Sequence, residues 1–230
     1  MVTVAIHQPN FLPYLGFFHK LARADVFVMY DTAQFSKNEY HNRNRIKTPR
    51  GPQWLTVPVR GHRRTVLRDV EIARGKDWAD RHRRTLEANY ARARAYGTYA
   101  DELNRILGKR WTRLVELNLS LLAVVARWLS LGTRVVRAST LAAPGSEDPT
   151  EAILQMTRQC GGTTYLSGPG GRRYLRADAF QDVHLEYDAF VARPYRQPFG
   201  DFVPNLSVVD ALFNLGEKAR ELIDEPRTPA

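Results

Sequence analysis

Val2-Thr-Val-Ala-Ile-His7 and Asp25-Val-Phe-Val-Met-Tyr-Asp31 decide the fold. Each is a short apolar run without clean in–out alternation, the pattern of a strand covered on both faces. Between them Pro9 and Pro13 break the chain, and a helix runs from about Tyr14 to Arg23. Working outward, strand and helix alternate again after residue 131. Thr133 to Ala138 is a strand, and Asp148-Pro149-Thr150-Glu151 opens a helix that reaches Cys160 and stops at Gly161-Gly162. Thr163 to Leu166 and Val183 to Tyr187 are further strands. Ser207 to Ile223 is the last helix, with Ser207 as N-cap and Asp210 in its first turn. This order predicts an α/β layered fold with a mainly parallel central sheet flanked by helices.

The stretch from about 32 to 131 interrupts that alternation. Thr32 to Gly51 is polar and reads as loop. Trp54 to Val59 and Thr65 to Ala73 alternate well enough to form a hairpin joined by Arg60 to Arg64. Helices are expected over Asp77–Ala95, Tyr99–Leu107 and Trp111–Leu131, with Gly97, Gly108 and Gly132 as stops. Pro144 to Pro149 has linker composition, but nothing marks a boundary, so residues 1–230 are expected to form one α/β domain carrying a hairpin and helical insertion.

Composition excludes several classes. With 43% hydrophobic, 10% aromatic and 25% charged residues, the chain is neither disordered, collagen-like nor coiled coil. Cys160 stands alone, so an internal disulfide or a CxxC site is ruled out. The first residues read as a strand rather than a signal peptide, and the apolar helix candidate 114–131 carries Glu116, Asn118 and Arg127, which a lipid core would penalise. A soluble cytoplasmic protein with no membrane partner is expected. No GxSxG, HExxH or DxDxDG pattern occurs and the six histidines are scattered, so neither a metal nor another cofactor is expected.

Charge is the unusual feature: 34 Lys and Arg against 24 Asp and Glu give +10. From Lys37 to Arg68 nine basic residues face one acid, Glu39; Arg74 to Arg94 holds seven against three. The stretch from Leu206 onward is mildly acidic. A directed basic face with Tyr40, Trp54, Trp78 and Tyr90 interleaved suits a polyanion such as an RNA backbone or a nucleotide.

Ligands of parallel sheets bind outside the carboxyl ends of the strands, which selects the loops after His7, Asp31 and Leu166. His7, Gln8 and Asn10 leave the first strand directly before a helix. The segment Asp31 to Lys47 packs an acid, Gln34, His41, Asn42, Arg43, Asn44, Arg45 and Lys47 into one stretch, a set suited to multidentate recognition of a polar ligand. His7, Asp31 and His41 are the acid–base candidates; Arg43, Arg45 and Lys47 would neutralise anionic groups. Tyr165-Leu-Ser-Gly-Pro-Gly-Gly-Arg-Arg-Tyr174 is a glycine-rich turn after a strand, able to cradle a phosphate although it matches neither GxxxxGK[ST] nor GxGxxG. All these groups are expected to converge on one pocket.

The run IHQPNFLPYLGFFHKLARADVFVMYDTAQFSKNEYHNRNRIKT (6–48), with WLTVPV (54–59), TTYLSGPGGRRYL (163–175) and FVPNLSVVDALFNLG (202–216), resembles the WbqC-like protein family. The resemblance spans nearly the whole chain. That family takes its name from bacterial O-antigen gene clusters, with relatives in natural-product clusters, and such clusters build N-acylated and aminoacylated amino sugars. It implies a small biosynthetic enzyme forming an amide on an amine. By the same resemblance His7, Gln8, Asn10, Asp31, Gln34, Asn42, Arg43 and Asn44 fall on the first motifs, Tyr165, Ser167 and Gly168 on the middle one, and Ser207, Asp210 and Asn214 on the last.

Three activities stay open from sequence. The first is an acyl or aminoacyl transferase acting on an amine acceptor, with His7 or His41 as base, Asp31 orienting it, and an anionic activated donor, aminoacyl-tRNA being one. The second is a nucleotidylyl-transferase-like enzyme, since Gly16 and His19 follow the first strand. The third is an RNA-binding module without chemistry.

Overall fold

The computed structural model describes residues 1–60, 64–75, 77–146 and 148–224. Its centre is a five-stranded sheet in which every pairing is parallel. In chain order β1 (Thr3–His7) leads through α1 (Leu15–Ala22) to β2 (Val26–Met29). The insertion follows: β3 (Arg43–Thr48), β4 (Gly51–Thr56), β5 (Val59–Arg60), β6 (Glu71–Ile72), α2 (Trp78–Tyr90), α3 (Tyr96–Leu107) and α4 (Leu114–Trp128). The chain then returns to the sheet with β7 (Arg134–Arg137), α5 (Pro149–Gln159), β8 (Thr164–Ser167) and β9 (His184–Tyr187), and ends in α6 (Val208–Leu215).

Strand order is β7-β2-β1-β8-β9. The first strand is therefore central, with Val4 opposite Val26 on one side and Tyr165 on the other. Alternate residues serve two cores. Ala5 and Phe27 face Phe17, Phe18, Leu21 and the insertion helices, while Val4, Ile6, Val26 and Val28 face Ile153, Leu154 and Met156 of α5. Burial on both faces explains why these strands show no alternation of polarity. The chain leaves β1 in one direction for β2 and β7 and later returns to its other side for β8. That reversal places a crevice at the carboxyl ends of β1 and β8.

The insertion departs from expectation in its pairing. Trp54 to Thr56 does not belong to a hairpin with Thr65–Ala73; it pairs with β3, Arg45 opposite Trp54. The turn between them decides this. Gly51 adopts φ +92°, and Thr48 Oγ1 bonds both Gly51 O (2.8 Å) and Arg50 N (3.2 Å), closing a tight reversal at 48–51. Of the expected hairpin Val59↔Ile72 and Arg60↔Glu71 pair and Ala73 N donates to Pro58 O (2.8 Å), while residues 61–63 of its joining loop lie outside the described residues. Strand β3 hid in a polar segment because Asn44 and Lys47 occupy buried positions there beside Ile46. Helix α3 begins at Tyr96, so Gly97 lies inside the helix, and α6 ends at Gly216 (φ +65°), beyond which 216–222 is 3₁₀.

Candidate functional site

A cavity of about 930 Å³ opens at the crevice between the carboxyl ends of β1 and β8. Three segments build it. His7 and Gln8 come from the end of β1; Gly16, Phe17 and Lys20 form one stripe of α1; Ser167 to Gly171 is the turn after β8. Tyr14, Tyr30, Gln34, Tyr174 and Asp188 complete the polar lining, and Ala152 and Ile153 of α5 supply an apolar wall. Pro144, Ser146 and Pro149 also line it, so the segment of linker composition forms a cavity wall; residue 147 lies outside the described residues.

Lys20 is the unexpected member. It is 4% exposed, donates from Nζ to the Ile6 carbonyl at 3.0 Å, and lies 5.7 Å from the Phe27 ring centroid. Burial lowers its pKa from 10.5 to about 8, opposed by the Asp188 carboxylate. Its signal in the sequence was a lysine inside an apolar helical stripe, Phe17–Lys20–Leu21, where a solvated residue would be out of place. Asp188 itself is held by Arg23 (3.2 Å), and His19 Nδ1 lies 2.8 Å from its Oδ1 without hydrogen-bond alignment.

His7 is neutral. Burial and the neighbouring Lys20 push its pKa down to about 3. Its Nδ1 lies 2.9 Å from the Gln8 carbonyl, which can only accept, so Nδ1 carries the proton and Nε2 is left as a lone-pair acceptor. The Phe17 ring packs edge-on at 4.8 Å and fixes the imidazole plane. His41 is behind the cavity rather than in it. Its Nδ1 accepts from Ser36 N (3.4 Å), so Nε2–H donates to Gln8 Oε1 at 2.8 Å, and burial lowers its pKa to about 4. His41 thereby orients Gln8, whose carboxamide nitrogen has no hydrogen-bond partner among the described residues and belongs to the lining.

The turn after β8 is tightly made. Ser167 Oγ donates to Gly168 O at 3.0 Å, and a side chain at Gly171 would collide with that hydroxyl and with Leu175. Tyr165 stacks on Phe180 at 6.0 Å, and burial raises its hydroxyl pKa.

The expected convergence is therefore partial. His7, Gln8, Gln34, Tyr165, Ser167 and Gly168 share the cavity, with His41 one shell behind. Asp31 is fully buried elsewhere: Oδ2 accepts from Arg137 Nε (2.8 Å) and Ser139 Oγ (2.7 Å), Oδ1 from Ser139 N (2.9 Å). It fastens the end of β2 to the end of β7. Asn42 donates to Val57 O (2.8 Å) and Asn44 to Leu12 O (2.7 Å), both holding backbone. Asn10 is half-buried on the turn outside the cavity lining.

The cationic groups do not enter the cavity either. Arg43 and Arg45 flank Trp54 at 4.1 and 5.7 Å, because β3 turns their side chains to the outer face of the hairpin. Lys47, further along the strand, is buried and donates to Gly200 O (3.2 Å) and to Asp201 O. Tyr90, expected to interleave with the basic residues, is fully buried; Tyr40 and Trp54 are exposed and pack at 5.7 Å.

The last motif serves the scaffold. Ser207 occupies the N-cap position of α6, yet its hydroxyl donates to Leu12 O (2.8 Å). Asp210 accepts from Tyr90 Oη (2.6 Å), Tyr195 Oη (2.6 Å) and Gln197 Nε2 (2.9 Å), while burial raises its pKa. Asn214 Nδ2 donates to Asp210 O (2.7 Å). Gly16 lets the Tyr14 and Phe190 rings close on α1, and His19 Nδ1 faces Asp188 at 2.8 Å, so of the two only Gly16 lines the cavity. Among the described residues no group of three His, Cys, Asp or Glu could hold a metal ion, and no helix is long and apolar enough to cross a membrane.

Comparison with known proteins places this architecture. No solved structure matches the chain. A protein of Mycobacterium tuberculosis (strain ATCC 25618 / H37Rv), described as "Uncharacterized protein Rv1507c", is 37% identical over 231 residues, covering 97% of this chain and 98% of that one. The model of the WbqC-like protein family matches residues 8–222, a span that takes in the cavity from Gln8 to Asp188. With the β1 turn, the buried stripe of α1 and the glycine turn after β8 all inside that match, the chain belongs to the WbqC-like protein family.

Proposed function

We propose that this protein forms an amide bond, transferring an acyl or aminoacyl group from an activated ester or thioester to an amine acceptor held in the cavity at the carboxyl ends of β1 and β8. The observation that carries the reading is the buried Lys20 amine beside the neutral His7 imidazole in one 930 Å³ cavity.

Aminolysis needs a base that removes a proton from the attacking nitrogen, and such a base works best with a pKa near the operating pH. His41 has both ring nitrogens engaged, and His7 is too weakly basic. Lys20 fits: with a pKa of about 8, about one-tenth of it is free amine at pH 7. The acceptor amine places an N–H on His7 Nε2, and its nitrogen attacks the donor carbonyl. Lys20 Nζ takes the proton, and the tetrahedral oxygen lies against the Gln8 carboxamide. Collapse breaks the bond to the leaving oxygen or sulfur, which receives the proton from Lys20. One amide and one alcohol or thiol result, with no external oxidant or reductant.

The cavity has room for a small amine such as an amino sugar together with the acyl end of the donor, while a bulky donor body stays outside. The Tyr40 carbonyl accepts from Phe11 N at 3.0 Å, so the exposed Tyr40–Trp54 face is tied to the turn between His7 and Tyr14, two of the lining residues.

The test is to incubate the protein with aminoacyl-tRNA or acyl-carrier thioesters and a panel of amines, following amide product by mass spectrometry. Product should form at a rate that rises with pH to a plateau above about pH 8. Lys20→Met should lower it by about a hundredfold or more. Failure to consume any donor of either kind, or full activity in Lys20→Met, ends the proposal.

A further inference from the structure

A second depression, of about 1050 Å³, lies between the C-terminal end of α2, the strap 196–199 and the end of α6. Arg92, Arg94 and Arg196 all line it, and none of the three has a hydrogen bond or ion pair among the described residues. The one carboxylate in the lining, Glu87, is partnered on its own helix by Arg83 at 3.4 Å. Three uncompensated guanidinium groups around one groove make a strong local attraction for phosphate.

The strap adds an aromatic surface, and the fold spends structure on presenting it. Phe199 is 43% exposed and sits at φ +61°, a left-handed conformation that a bulky side chain adopts only when its surroundings impose it. The surroundings are visible. Lys47, itself 2% exposed, bonds the carbonyls of Gly200 and Asp201 immediately after it. Gln197, two residues before it, is clamped between Asp210 Oδ1 (2.9 Å) and both backbone groups of Val203 (3.1 and 2.8 Å). Two buried polar side chains thus hold the loop so that a phenyl ring faces solvent beside three arginines.

We propose that this groove binds single-stranded RNA, the arginines taking consecutive phosphates and Phe199 stacking on a base. The pairing of a cationic track with an exposed ring is the general means of holding an unpaired strand without reading its sequence. The site is separate from the amide-forming cavity, and its existence does not depend on that reaction.

The test is fluorescence anisotropy with labelled single-stranded RNA of about eight nucleotides, titrated between about 50 and about 200 mM salt. Three phosphate contacts predict a slope of log affinity against log salt near −2, so binding should weaken about sixteenfold over that range. Arg92→Gln with Arg94→Gln and Arg196→Gln should bring the slope toward zero and weaken binding about tenfold or more at low salt. Phe199→Ala should weaken it roughly five- to tenfold with the slope unchanged, because it removes a stack and no charge. Three results overturn the proposal: no binding at low salt, binding that survives the triple substitution but is lost with Trp54→Ala, or displacement of the RNA by inorganic phosphate at matched phosphate concentration. Product formation from a thioester donor is the separate readout for the amide proposal.

Discussion

Lys20 is buried at a cost to folding that the proposed chemistry would explain. Lowering a lysine pKa from 10.5 to about 8 means the folded protein holds the charged form at a cost of roughly 3 kcal/mol. Lys20→Met, which keeps the length of the side chain without its charge, should therefore fold and gain roughly 1–3 kcal/mol in urea unfolding while losing the proposed amide-forming activity. A stability loss there would mean that the bond to Ile6 O outweighs desolvation. Glycines of the β8 turn give a second contrast. Gly171→Ala drives a methyl into Ser167 and Leu175 and should destabilise by about 1–3 kcal/mol, whereas Gly170→Ala meets nothing and should leave the unfolding midpoint within about 0.5 kcal/mol. Comparable effects from the two would show that the turn is not packed as described.

Between elements, the decisive ties are buried polar groups contributed by residues far apart in sequence. Asp31→Ala leaves Arg137 Nε and the hydroxyl and N–H of Ser139 without their acceptor and should cost about 2–4 kcal/mol, moderated because Arg137 keeps Glu116 (2.8 Å) and is 31% exposed. Tyr90→Phe should cost about 1–3 kcal/mol, since Tyr90 Oη both donates to Asp210 and accepts from Lys47 N (2.9 Å), joining α2, α6 and β3. Equilibrium urea unfolding checks both. These ties also explain what sequence could and could not reveal. The central strands and the helices of the insertion were legible because each is written in local periodicity, and α5 because Asp148 caps it as well. The end of β1 and the β8 turn, named from sequence because ligands of a parallel sheet lie outside the carboxyl ends of its strands, do meet along one cavity. Strand β3 was hidden because its buried positions include Asn44 and Lys47, whose partners Leu12 and Gly200 are remote. For the same reason Asp31 read as an acid–base group: nothing near it in sequence announces Arg137.

At the scale of the whole molecule, pH should act through imidazoles. Burial lowers His7 to about 3 and His41 and His82 to about 4; both ring nitrogens of His82 lie unpartnered between Phe11 and Trp78. Below pH 6.5 the unfolded chain takes up protons on these groups and the folded protein does not, so stability that is complete above about 6.5 is lost as pH falls toward 4. If all three titrate in this way the loss approaches about 4 kcal/mol per pH unit at its steepest. Urea midpoints measured near pH 7.5, 6 and 5 should fall in that order; a flat series would mean that the imidazoles are reached by protons in the native state. The central position of β1 has a temporal consequence as well. Its partner on one side, β2, is made within the first 29 residues, but the other, β8, emerges only with residues 164–167. During synthesis the first strand must wait with one hydrogen-bonding edge open while the entire insertion is translated, so a ribosome stalled before residue 164 displays a sticky β-edge, the state in which a holding chaperone has most to protect.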